Sequence, residues 1–106
     1  MDAYTIIRDA ILNKNSIAAR FDGYDRRLSP HVIGTNKQGR RQALFYQYGG
    51  GSKSGLGPPG SRANWRCIPV DEMSNVRTIS GEWHTADEHG TRPETCVAVI
   101  DVEVAY

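Results

Sequence analysis

Residues 49–62, Gly-Gly-Gly-Ser-Lys-Ser-Gly-Leu-Gly-Pro-Pro-Gly-Ser-Arg, hold six of the eleven glycines and two of the five prolines in a chain of 106 residues. Glycine loses the most conformational freedom on ordering and proline has no amide proton to donate, so no helix or strand is expected to cross this stretch. Whatever folds must be assembled from short segments on either side of it. A loop of this composition serves as a flexible tip, a close backbone approach to a ligand, or a hinge. The chain has room for one modest core, which excludes a two-domain enzyme with its own cofactor domain.

Before the loop, Tyr4, Ile7, Ala10 and Ile11 fall at the spacing of one helical face. Asp2 is a suitable N-cap and Asn13-Lys14-Asn15 a suitable stop, so residues 1–14 are assigned to an N-terminal helix. Ser16 to Phe21 and Tyr24 to Ser29 flank Asp22-Gly23, which reads as a hairpin turn, and Pro30 limits pairing at its own position. Arg41 to Tyr48, with Leu44, Phe45, Tyr46 and Tyr48, is the strongest strand signal. Period-two geometry puts Tyr46 and Tyr48 on one face and Phe45 on the other, and one of these sets is expected to face solvent or ligand.

After the loop, Ala63 to Ile68 and Glu72 to Ile79 are strand candidates, residues 81–95 read as an exposed polar linker, and residues 96–106 form a strand. In that last strand Val102, Val104 and Tyr106 alternate with Asp101, Glu103 and Ala105, giving an acidic outer face. The expected fold is a single mainly β domain: a small curled sheet or barrel of five to six strands, with one helix and a barrel core over residues 16–80.

The formal net charge of +1 conceals a split. Residues 1–66 carry eleven basic side chains against four acidic ones, a balance of +7, while residues 67–106 carry Arg77 and Arg92 against eight acids, a balance of −6. The acidic segment is expected either to cover a basic pocket when no ligand is present or to meet the basic face of a second copy. With 39% hydrophobic and 24% charged residues the chain is expected to fold. No apolar run is long enough to span a bilayer and the N-terminus lacks the features of a secretory signal, so a cytoplasmic protein without membrane contact is expected. Cys67 and Cys96 are expected to be two buried free thiols, with a disulfide between them as the alternative.

Several residues together resemble the WYL family, in particular its short divergent members. They are Ala10-Ile11, Ile17, Phe21, Arg27, Pro30, Gly39 leading into a strand, and Trp65-Arg66-x-Ile68-x-x-Asp71-Glu72-Met73-x-x-Val76. Tyr46-Gln47-Tyr48 followed by Gly49-Gly50-Gly51-Ser52 is similar to the divergent subgroup, in which a Tyr-Gln strand end precedes a glycine- and serine-rich loop. The likeness spans roughly two thirds of the chain. The name-giving Trp-Tyr-Leu tripeptide would fall near Ala43-Leu44-Phe45 and is not kept, and the helix-turn-helix that commonly precedes such domains has no counterpart, so a self-contained transcription factor is not expected. The resemblance implies an Sm-like or SH3-like barrel with an N-terminal helix. It also implies ligand sensing through a polar and basic pocket for nucleotides or nucleic acid, in a bacterial or phage regulatory setting.

Arginine outnumbers lysine ten to three, and guanidinium groups grip phosphate bidentately and stack on bases. Tyr24, Tyr46, Tyr48 and Trp65 are interleaved with the arginines, as platforms for bases would be. The other reading of these charges is a face that pairs with the acidic C-terminal strand. The expected ligand-binding set is Arg27, His31, Tyr46, Gln47, Ser52, Trp65 and Arg66, with Arg26, Arg40, Arg41 and Arg62 as a secondary basic patch. The arginines would hold phosphate, the rings would stack, and Gln47 and Ser52 would orient the ligand.

The loop at Gly49 to Ser54 fails the phosphate-loop test because Lys53 follows Ser52 and position 47 is Gln, which leaves a mobile loop or a backbone anion nest. His84 and His89 with Asp87 and Glu88 invite a metal reading, but the spacing lacks a fourth committed ligand, and neither a metal nor a cofactor is expected. No nucleophile or paired-carboxylate signature supports an enzyme. Two alternatives to ligand binding stand beside it: a homo-oligomer or effector-binding scaffold joined through the C-terminal edge strand, and a small nucleotide hydrolase.

Overall fold

The computed structural model of the protein describes residues 2–53, 55–86 and 96–105. Its first element begins where the Asp2 carboxylate accepts the Thr5 N–H at 2.9 Å, satisfying one of the orphan donors of a helix start. Helix α1 runs Ala3–Asn13 and ends on Lys14, whose left-handed φ of 55° lets the chain turn back while the Asn15 N–H bonds the Ala10 carbonyl at 2.8 Å. Ile7, Ala10 and Ile11 are its buried stripe.

Six strands follow: β1 (Ser16–Phe21), β2 (Tyr24–Thr35), β3 (Arg41–Gly50), β4 (Trp65–Pro69), β5 (Ser74–Ile79) and β6 (Val99–Glu103). They form one antiparallel sheet in the order β4-β3-β2-β1-β5, with β6 also paired to β2, and the sheet curls without closing into a barrel. Asp22 and Gly23 both take positive φ, as a two-residue hairpin turn requires, and this fixes Phe21 opposite Tyr24. β1 pairs with the first half of β2 and β6 with the second half, while β3 lies along the other edge.

β2 is one bent strand where the sequence suggests two pieces around Pro30. The ladder with β3 passes from Pro30 opposite Phe45 to Val32 opposite Leu44, so His31 is an extra residue in a bulge. A second bulge sits on β3, where Leu28 faces Gln47 and Arg27 faces Gly49, leaving Tyr48 as the extra residue. Each bulge reverses the alternation beyond it.

Both faces of the sheet are covered. Against α1 lie Ile17, Leu28, Ile33, Phe45, Ile68 and Val102; on the opposite face Val32, Leu44 and Val97 pack with Trp65 and Cys96. Phe45 and Tyr46 are both buried, Phe45 in the helix-side core and Tyr46 beneath a cleft that Tyr48 also lines. The reason is the segment after β5. Trp83 to Ala86, expected within an exposed linker, packs onto the sheet, and Ala86 is buried; residues 87–95 of that expected linker lie outside the described residues.

Two further expectations change. Strand β3 extends through Gly49 and Gly50 into the glycine-rich stretch, because Arg27 and Arg26 on β2 supply a pairing partner. Cys67 and Cys96, expected as free thiols, form a disulfide with their Cα atoms 6.5 Å apart. The bond ties β4 to the chain entering β6. No helix among the described residues is long and apolar enough to cross a membrane.

Closing a loop between cysteines 29 positions apart should raise stability by roughly 3–4 kcal/mol on a chain-entropy account. Reduction by a dithiol, or replacement of both cysteines by Ala, is expected to lower the thermal midpoint by on the order of 10 °C or more. An unchanged midpoint in differential scanning calorimetry would show that the bond contributes nothing.

Candidate functional site

The two-residue turn at Asp22-Gly23 counts back along the hairpin to set Ala18 opposite Arg27. Ala18 is also opposite Arg77 on β5, and Arg27 is opposite Gly49 on β3. Directly opposed residues of antiparallel strands project on one face, so Arg77, Ala18, Arg27 and Gly49 form a row across four strands. Strand spacing puts the two arginines about 10 Å apart at the backbone, with the small Ala18 as the floor between them. A Cβ at position 49 would meet the Arg27 guanidinium at 2.5 Å, so the glycine is what lets that side chain lie across β3.

Arg77, Ala18 and Arg27 of this row line an open cleft of about 580 Å³, walled by Tyr48, Ile79, Glu82 and His84. Arg26, Arg27 and Arg77 line it against Asp25 and Glu82. Asp25 is drawn to Arg20 at 3.5 Å and the Arg77 guanidinium donates to the Asn75 carbonyl at 2.9 Å. The Arg27 guanidinium makes no hydrogen bond or ion pair among the described residues. A second cleft of about 340 Å³, lined by Tyr46, Tyr48, Leu56, Gly57, Pro59, Gly60, Asn64, His84 and Thr85, adjoins the first. Tyr48 and His84 belong to both walls, and their rings stack at 4.1 Å with 26° between planes.

The stack is held from beneath by polar contacts. Ser29 Oγ accepts the His84 N–H at 2.8 Å and contacts Ser16 Oγ at 2.9 Å, while Ser16 Oγ donates to the Glu82 carbonyl. Trp83 Nε1 donates to the Pro30 carbonyl at 3.2 Å. His31 Nε2 lies 3.2 Å from the His84 carbonyl, which can only accept, so Nε2 carries the proton. The His31 ring is fully buried, edge-on to Trp65 at 4.6 Å and tilted against Trp83 at 4.3 Å. Burial pushes its pKa down from 6.5 to about 4, with the nearby Lys14 charge also lowering it and the His84 carbonyl working against both.

The expected ligand set does not line one cavity. Arg27 is on the larger cleft and Tyr46 on the smaller, where its hydroxyl donates to the Ser61 carbonyl at 2.9 Å. His31 and Trp65 are packed behind the stack. Gln47 is buried on the helix side of the sheet, where it accepts from Arg26 at 3.3 Å and donates to the Gly49 and Gly51 carbonyls at 3.0 and 2.9 Å. Ser52 lies in the glycine-rich loop and Arg66 reaches it from β4, donating to the Gly55 carbonyl at 3.0 Å and to Ser52 Oγ at 3.5 Å. Arg26 is only 5% exposed, and burial followed by the Arg66 charge lowers its pKa; burial alone lowers that of Arg66.

The secondary patch is also dispersed. Arg40 pairs with Glu72 at 3.3 Å and Arg41 with Asp2 at 3.8 Å, near the far end of β3, while Arg62 lies in the short turn before β4. Of the acidic segment, Asp101 turns to the helix, accepting from Tyr4 and Arg8 of α1 at 2.7 and 3.3 Å, Glu82 lines the larger cleft, and Asp87, Glu88 and Glu94 lie outside the described residues. His84 of the considered metal set belongs to the stack, and His89, Asp87 and Glu88 lie outside the described residues. Among the described residues no cluster of metal-ligating side chains occurs.

Sequence reasoning left Ala18, Arg77, His84 and Thr85 out of the binding set and named Tyr48 only as a neighbouring aromatic. The Asp22-Gly23 turn could have found the Ala18–Arg27 pair, whereas Arg77 and His84 reach the site through non-local pairing. No family model matches the chain, and neither a curated protein nor a solved structure matches it.

His31 must be neutral to stay buried, so the folded state resists its protonation. With the folded pKa below 6.5, its contribution to stability is complete above pH 6.5 and is lost as pH falls towards 4. Denaturant titrations should show stability declining by on the order of 3 kcal/mol across that window. A His31→Gln variant, if folded, should lose that share of the slope; an identical slope in both proteins would contradict the assignment.

Proposed function

We propose that this chain is a binding module for a nucleotide or short nucleic acid, with the larger cleft as its phosphate site. The observation that carries this reading is the Arg27–Ala18–Arg77 row beside the stacked Tyr48 and His84. The Arg27 guanidinium pairs with no anion among the described residues, and such a group suits a bidentate acceptor. The adjoining aromatic wall supplies a surface on which a base can pack. The ligand-sensing role implied by the WYL resemblance fits this arrangement, and the reading is one of binding without turnover. Within the proposed set, Arg27 and Arg77 hold the anion, Tyr48 and His84 shape the wall, and His31 and Ser29 position His84.

A cytoplasmic setting, expected from the sequence, is one in which thiol buffers keep cysteine pairs reduced. Cys96 follows the segment that carries His84, so binding is best measured with the Cys67–Cys96 bond both intact and reduced.

Arg27→Ala and Arg77→Ala should each weaken binding of nucleoside triphosphates by about 10- to 100-fold, the range for losing a charged hydrogen bond. Each should also flatten the salt dependence measured by isothermal titration calorimetry. Arg40→Ala, which removes a guanidinium already paired with Glu72, should leave binding unchanged. Equal loss in all three variants would indicate general charge attraction and sink the site.

A second reading, self-assembly through the C-terminal strand, is favoured by one observation. β6 pairs only with β2 among the described residues, and it exposes Val99 and Ile100 at 66% and 41%. An edge strand with apolar side chains in water is a template for another strand. Light scattering should then give a dimer or larger species that becomes monomeric in a Val99→Lys, Ile100→Lys variant; a monomer at all concentrations removes this reading.

A further inference from the structure

We propose that the base taken by the larger cleft is guanine and that the Glu82 carboxylate selects it. The inference rests on the phosphate-site reading of that cleft and names the class of nucleotide it takes.

The cleft holds opposite charges that do not meet. Five charged residues line it: Asp25, Arg26, Arg27, Arg77 and Glu82. Asp25 is drawn off to Arg20, and Arg26 donates to the Phe21 carbonyl and to Gln47, both at 3.3 Å. Arg77 donates to the Asn75 carbonyl. The Arg27 guanidinium has no such partner among the described residues, and neither does the carboxylate of Glu82, which is exposed on the opposite wall. A bare anion would use the arginines and be repelled by Glu82. A ligand with phosphate at one end and hydrogen-bond donors at the other uses both.

The main chain fixes where Glu82 stands. Ser16 and Ala18 share one face of β1, as Arg27 and Ser29 share one face of β2. Ser16 Oγ donates to the Glu82 carbonyl at 2.9 Å and Ser29 Oγ accepts the His84 N–H at 2.8 Å, so residues 82–84 cross that face one step away from Ala18 and Arg27. Glu82 and His84 both line the cleft, and an extended chain puts residues two apart at most about 7 Å from one another. A base packed against the Tyr48–His84 wall therefore lies within a side-chain length of Glu82.

A carboxylate only accepts, and it does so through two oxygens. Guanine has two adjacent donors on its pairing edge, N1–H and the N2 amine, and can satisfy both oxygens at once. Adenine and cytosine each set a ring-nitrogen lone pair beside their one amine, and uracil flanks its single N–H with carbonyl oxygens. Each of those three bases turns an acceptor towards the carboxylate. A hydrogen bond to an ionised acceptor is about twice as strong as one between neutral groups, and a site built for donors discriminates against a ligand that lacks them.

Isothermal titration calorimetry with guanosine, inosine and adenosine triphosphates and with inorganic tripolyphosphate tests the selection. Guanosine triphosphate should bind at least about tenfold more tightly than adenosine triphosphate, with inosine triphosphate, which lacks the N2 amine, between them. Glu82→Gln keeps the side-chain shape at an exposed position and should leave the melting midpoint unchanged. Its amide sets one donor against guanine's two, so the affinity for guanosine triphosphate should fall to that for adenosine triphosphate, while tripolyphosphate binds no more weakly than before. Arg27→Ala should instead weaken all four ligands together. The trinucleotides pGpGpG and pApApA put the same question to a strand: a guanine preference there that Glu82→Gln removes supports the carboxylate with a strand end as the source of the base. Equal affinity for guanine and adenine ligands in the parent, or a preference that survives Glu82→Gln, would overturn the guanine reading and leave the phosphate site standing. No binding of any probe would overturn the phosphate site as well.

Discussion

Pro30 has no amide proton, and the bend that follows from this organises the rest of the structure. A regular ladder cannot run unbroken through a proline, so β2 takes up an extra residue at His31 and changes direction. The first half of the strand then holds β1 and the second half holds β6, along the same edge. One strand thereby serves two partners, and the sheet curls around α1 without having to close. The displaced His31 falls on the face away from the helix, where its ring supports His84 through the backbone carbonyl.

The second bulge does related work at the cleft. Tyr48 is the unpaired residue opposite the step from Arg27 to Leu28, and the bulge aims its ring at His84. Two irregularities in neighbouring strands thus meet through one stacked pair. The arginine row stands at the margin of such irregularities, since the β1–β5 ladder shifts just beyond Ala18 and the β2–β3 ladder just beyond Arg27. The candidate site lies where these register shifts come together. That juxtaposition gives it a charged floor and an aromatic wall.

Local signals in the sequence identified what local chemistry controls. The cap at Asp2, the stop at Lys14 and the Asp22-Gly23 turn all appear where composition puts them. The alternation of Asp101, Val102, Glu103 and Val104 holds in the structure, with both valines buried and both acids exposed. Reading failed where the phase of alternation slips: no residue type announces a bulge at Tyr48, so the fate of Tyr46 and Tyr48 could not be taken from period two alone. It failed again at Trp83 and His84, whose polar surroundings suggested a linker. Their burial depends on Ser16, Ser29 and Pro30, more than fifty positions earlier in the chain. Arg77 was masked by the company it keeps, since it belongs to the acidic half by sequence and to the basic cleft by register.

The bond between Cys67 and Cys96 encloses β5 and the segment that walls both clefts. A backbone cut anywhere between the two cysteines would leave two fragments joined through sulfur. The severed piece carrying β6 could not diffuse away from β2; it would remain at the high effective concentration of a tethered partner. Backbone continuity over that interval is therefore dispensable for keeping the sheet together, and a nicked molecule retains what it needs to re-form its central pairing.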